Sequence, residues 1–101
     1  MSEQARLTVL TAQIAQMHQE MEYWQHHEQN VIAQLNAAMR NLQQYTRHGQ
    51  FPDPIVSAAV NNHSIALNQI RQNMARLQAR KSAAEGEYNQ LLRRVGPFQG
   101  Q

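Results

Sequence analysis

The sequence predicts an all-α protein, a long antiparallel two-helix hairpin of the coiled-coil type. Three observations carry this: an apolar heptad repeat on either side of the chain's middle, one Gly- and Pro-containing break near residue 50, and a composition poor in sheet formers. Of 101 residues, 42% are apolar and 16% charged, while only 6% are aromatic; 24 are Gln or Asn and 13 are Ala. Such a mix suits long solvated helices, and the length suits one domain.

The first arm, about residues 4–47, carries its repeat at Leu7, Leu10, Ile14, Met17, Met21, Trp24, Val31, Leu35, Ala38, Leu42 and Tyr45, in alternating steps of three and four interrupted at Glu28. A turn over 48–53 follows, in which Gly49 suits a left-handed C-terminal cap, Asp53 an N-cap and Pro54 the first helical turn. The second arm, about 54–95, repeats at Val56, Val60, Leu67, Ile70, Met74, Leu77, Ala84, Tyr88, Leu91 and Val95, interrupted at His63 and Lys81. Each arm would be roughly 60 Å long, and so short a connection makes the two antiparallel. Facing seam residues must then have numbers that sum to 98 or to 105, and both registers keep the seam closed. Gly96 and Pro97 stop the helix, so 96–101 is expected to be a flexible tail.

Apolar residues outside the seam carry the expectation of partners. Val9, Ile32, Met39, Ile65 and Leu92 widen the apolar stripe towards three positions per heptad, a width that belongs to a bundle rather than a two-stranded seam. Tyr23, off the seam, and Phe51, at the tip, join them as candidate contacts, whereas Trp24 falls on the seam and belongs to the core. Burying such side chains favours completion of a bundle, by dimerisation or by a partner with a helical surface. Glu28, His63 and Lys81 replace apolar knobs; polar residues there fix register or partner choice, or reach out to water from a loose layer.

Charge and motif content narrow the function. Residues 1–46 carry a net charge of −2 and residues 47–101 one of +4, so the arms attract one another when they pair. The basic second arm makes a nucleic-acid-associated regulator the alternative reading, but its Arg and Lys residues are spread out and no aromatics interleave for base stacking. Cysteine is absent, and with it disulfides and thiolate metal sites. His18, Glu22 and His26 span about 12 Å of helical rise, too far for one ion, so neither metal nor other cofactor is expected. No nucleophile stands by a base, no glycine-rich phosphate loop is present and a two-helix hairpin offers no dry pocket, which argues against an enzyme and a small-molecule substrate. Neither a signal peptide nor an 18-residue apolar run is evident, so a cytoplasmic protein without a membrane span is expected, signal-independent export remaining open.

In outline, over about residues 5–95, the chain resembles the coiled-coil stalk and escort proteins of type III export apparatus, which are long antiparallel hairpins rich in Gln, Ala and Arg. That resemblance implies contact with an export ATPase, a gate protein or an exported substrate. The small secreted helical hairpins with a Trp-x-Gly turn share only the size, since the turn here reads His48-Gly49-Gln50-Phe51. The expected role is a small adaptor, chaperone or assembly factor that works by binding helices.

Overall fold

The computed structural model describes residues 2–95, which form two helices, α1 (Glu3–Arg47) and α2 (Pro54–Val95), with no strand among the described residues. They make the expected antiparallel two-helix hairpin. The tail expected over 96–101 lies outside the described residues. No helix is long and apolar enough to cross a membrane.

Two compact units make up the hairpin, one from the chain up to Tyr23 together with the chain from Met74 onward, the other from Trp24–Asn73. Leu10, Met17, Leu77 and Leu91 are the buried side chains of the first, and Val31, Leu67 and Ile70 those of the second. All seven are seam residues. Each contributes on the order of 1.5–3 kcal/mol on full burial. Every one of the 12 seam positions on each arm, Glu28, His63 and Lys81 included, is buried or half-buried. The heptad pattern therefore identifies the contact face of both helices without an exception.

Cross-helix ion pairs choose between the two registers. Within the first unit Arg6 Nε lies 2.7 Å from Glu87 Oε2, and Arg94 Nε 3.4 Å from Glu3 Oε2; within the second, Arg71 Nε lies 3.0 Å from Glu28 Oε2. In the register that sums to 98, Glu28 is level with Ile70, beside Arg71, and Glu3 is level with Val95, beside Arg94. Sliding to 105 would set the three sets of partners about 9 to 18 Å apart along the axes, at 1.5 Å per residue, against about 1.5 to 7.5 Å in the 98 register.

The helix ends show why the chain reverses where it does. Ser2 Oγ accepts the Ala5 N–H at 3.0 Å and so caps α1, while Glu3 in its first turn and Arg47 in its last complement the helix dipole. At the other end Gly49 takes φ +66°. The Gln50 N–H donates to the Tyr45 carbonyl at 2.9 Å and the Gly49 N–H to that of Thr46 at 3.1 Å, the two bonds of a Schellman cap. Three residues later Asp53 Oδ1 accepts the Ile55 N–H at 2.8 Å, and Pro54, which has no N–H to satisfy, occupies the first position of α2.

No atom lies within 4 Å of where a Cβ on Gly49 would stand, so a side chain there meets only the backbone penalty of its positive φ. Gly49→Ala should lower stability by about 1–2 kcal/mol, and Gly49→Asn by less, because Asn tolerates this conformation. Urea unfolding followed by helical circular dichroism measures both; equal stability of all three chains would show that the cap does not hold the turn.

Candidate interaction surfaces

With the seam face of each helix committed to the other, the surface left for function is the remainder. In the first unit Val9 is 39% exposed, Tyr23 64% and Leu92 37%; in the second, Met39 is 38% exposed, Ile65 49% and Phe51 96%, while Ile32 is half-buried. Of the five residues that widen the apolar stripe in the sequence, Ile32, Met39 and Leu92 stand in e rows beside the seam, and Val9 and Ile65 stand further round. Numbering the heptads from the seam puts Val9 and Tyr23 in the c row of α1, Ile32 and Met39 in its e row, Leu92 in the e row of α2 and Ile65 in its f row. In the second unit, Leu35, Ser64, Ile65, Leu67 and Asn68 line one open groove of about 380 Å³, which brings Ile65 round to the side on which Ile32 and Met39 stand. Val9 and Leu92 occupy opposite flanks of the first unit.

Smaller and polar residues flank the seam as well. Ala59, Ala66, Asn73 and Glu87, all in the g row of α2, are half-buried beside the seam. Alanine gives no signal in a pattern of large apolar residues, so the sequence alone does not reveal this flank. Ile55 also escapes it: adjacent to the turn, in the c row, it is 77% exposed and adds to Phe51 a second bare apolar side chain near the tip.

The polar seam residues divide by chemistry. Glu28, whose side chain is 18% exposed, accepts a hydrogen bond from Arg71 Nε at 3.0 Å, so its charge is met at the edge of the seam by a residue of the neighbouring helix. His63 and Lys81 are half-buried, and in the 98 register they share layers with Leu35 and Met17. Trp24, half-buried in the seam, stacks obliquely on His27, with ring centroids 5.9 Å apart.

One of the cross-helix ion pairs is a fork. Arg6 Nε and Nη2 donate to the two carboxylate oxygens of Glu87 at 2.7 and 2.9 Å. These hydrogen bonds, and then the guanidinium charge, hold the Glu87 carboxyl below the usual carboxylate range and the Arg6 guanidinium above its ordinary value, burial opposing both only in part. Both side chains are more than a third exposed, so solvent screens the pair.

The surface grooves are open and shallow. In the first unit one of about 330 Å³ runs past Gln13, Met17, Glu20 and Arg80, and another of about 370 Å³ past Thr11, Ile14, Glu85 and Tyr88. Among the described residues no three His, Cys, Asp or Glu side chains gather where they could hold a metal ion. What the surface presents instead is apolar side chains set among amides. None of the family models, curated proteins or solved structures compared with the chain matches it.

Because the Glu87 carboxyl is lowered in the folded chain, its contribution to stability is present above the unfolded carboxylate range and is lost as pH falls through the folded value. Thermal midpoints should place Glu87→Gln below the parent chain near neutrality, with the difference closing at acid pH below about 4. A difference that persists unchanged in acid would assign the loss to packing rather than to the ion pair.

Proposed function

We propose that this chain is a non-enzymatic interaction protein of the cytoplasm, a small adaptor, chaperone or assembly factor that offers the flanks of a helical hairpin to another helical surface. One observation carries it: the seam takes up its apolar residues on both arms, yet Val9, Tyr23, Met39, Phe51, Ile55, Ile65 and Leu92 remain 37–96% exposed. Each of these gains on the order of 1 kcal/mol when a partner covers what remains exposed. Packing against helices is the chemistry available to side chains of this kind in these rows. Service in a type III protein export apparatus is the most specific form of this reading, and the outline shared with its stalk and escort proteins supports it. Two of the second arm's arginines that would favour nucleic acid, Arg71 and Arg94, already face carboxylates of this chain.

The tagged full chain should retain a helical protein from cell extract in 1 M salt, after nuclease treatment, and a variant with Val9→Gln and Leu92→Gln should retain several-fold less. Binding that collapses with rising salt or with nuclease would instead favour the nucleic-acid reading.

A further inference from the structure

We infer that the hairpin is a two-register device: charge holds it in the 98 register, and neutralising its carboxylates lets α2 slide along α1 by one heptad into the 105 register. Such a slide needs no partner and goes beyond the proposed role. The seam itself is nearly indifferent to it. By residue number, eight layers pair two apolar seam residues in the 98 register, from Leu7 with Leu91 to Leu42 with Val56, and eight do so in the 105 register, from Leu10 with Val95 to Tyr45 with Val60. The polar seam residues keep the same kind of neighbour. Glu28, His63 and Lys81 are level with Ile70, Leu35 and Met17 in the first register and with Leu77, Leu42 and Trp24 in the second, so no polar layer is gained or lost.

The turn survives the movement. The Schellman bonds of Gln50 and Gly49 run back to Tyr45 and Thr46, and the Asp53 cap runs forward to Ile55, so each is made at one helix end without the other helix. In the 98 register α1 runs three residues past the level at which α2 begins; in the 105 register α2 begins four residues past the end of α1. The linking residues 48–53 thus span an axial offset of about 4.5 Å in the first and about 6 Å in the second, both within their reach.

Charge separates the two registers. In the 98 register every carboxylate of α1 has an arginine of α2 within two residues of its level: Glu3 has Arg94, Glu20 has Arg80, Glu22 has Arg76 and Glu28 has Arg71. Glu3 and Glu28 make these pairs at 3.4 and 3.0 Å, and Glu87 of α2 adds its fork with Arg6. The slide undoes most of this. Glu20 comes level with Glu85, two residues from Glu87, and Glu3 passes the end of α2; Glu22 falls between Lys81 and Glu85, and Glu28 next to Arg76.

Acid removes both the ties of the first register and the repulsions of the second. It also charges the histidines. His18 and His27 are level with Arg80 and Arg71 in the 98 register; the slide takes His18 to Glu87 and His27 to Gln78, two residues from Arg80, while His26 stays one residue from an arginine's level in both. The Glu87 carboxyl, held below the usual range by Arg6, gives the sign: its preference for the 98 register is present above the carboxylate range and is lost as pH falls through the folded value. A slide carries each residue of α2 about 10 Å along α1. Leu92 then leaves the level of Arg6 for that of Gln13, so the flanks offered to a partner are recomposed.

Spin labels on Ala5→Cys and Ala79→Cys, both exposed and both within the first unit, measure the slide in the full chain by pulsed dipolar spin resonance. Their levels are 14 residues apart in the 98 register and 21 in the 105 register, so an axial separation of roughly 21 Å becomes roughly 32 Å. At pH 7 the labelled chain should show the shorter distance alone. A longer population, by several ångström, should appear at pH 7 in a chain that also carries Glu3→Gln, Glu20→Gln, Glu22→Gln, Glu28→Gln and Glu87→Gln, with helicity retained by circular dichroism. The same population should grow in the labelled chain on acidification to about pH 3. An unchanged single distance in the fivefold variant overturns the inference, whatever acid does to the parent chain. Loss of helicity in that variant overturns it too, since the carboxylates would then be holding the fold rather than choosing its register.

Discussion

The rest of the structure depends on the apolar seam between two antiparallel helices, closed in a register that ion pairs and a capped turn hold. Once residue numbers that sum to 98 face one another, every heptad knob from Leu7 to Val95 is used on the inside. Two constraints favour that register. Gly49 and Asp53 end and restart the helices within a few residues, and carboxylates at Glu3, Glu28 and Glu87 meet arginines that a slide of one heptad would carry about 7 to 10 Å further away along the axes. Both belong to the hairpin's own chemistry, so the seam has no need of a partner to be specified.

A two-helix seam is nevertheless a thin core. Among the described residues seven side chains are buried, and only Leu10 of these is closed off almost completely. Two helices cannot surround an apolar residue as four can, which is why Ile14, Trp24, Leu35 and Tyr88 stay half-buried at positions a bundle would seal. The same thinness leaves Met39, Ile65 and Leu92 part covered rather than hidden. Binding through helix faces follows from this incompleteness more directly than from any single residue.

Much of the fold was legible because helical periodicity is a strong signal when it runs for five heptads and more. The seam residues, the break at Gly49 to Pro54 and the antiparallel pairing all rest on patterns of that kind. The register was not legible, since an apolar pattern that repeats every seven residues is nearly unchanged by a slide of seven. It takes the side-chain reach of Arg6, Arg71 and Arg94 to separate the two cases. The flanks were legible only in part. Counting apolar residues singles out Val9, Met39, Ile65 and Leu92, all partly exposed, without showing on which flank each stands, and it passes over Ala59 and Ala66, whose burial depends on how closely the helices approach.

Register is the central claim, and the absence of native cysteine makes it directly measurable. A chain with Ile14→Cys and Ala84→Cys, whose numbers sum to 98, should close an intramolecular disulfide rapidly under mild oxidation at high dilution. A chain with Ile14→Cys and Leu91→Cys, the corresponding pair for 105, should close far more slowly, its partner lying about 10 Å further along the axis. Faster closure in the second chain, or equal closure in both, would contradict the register on which the cross-helix ion pairs depend.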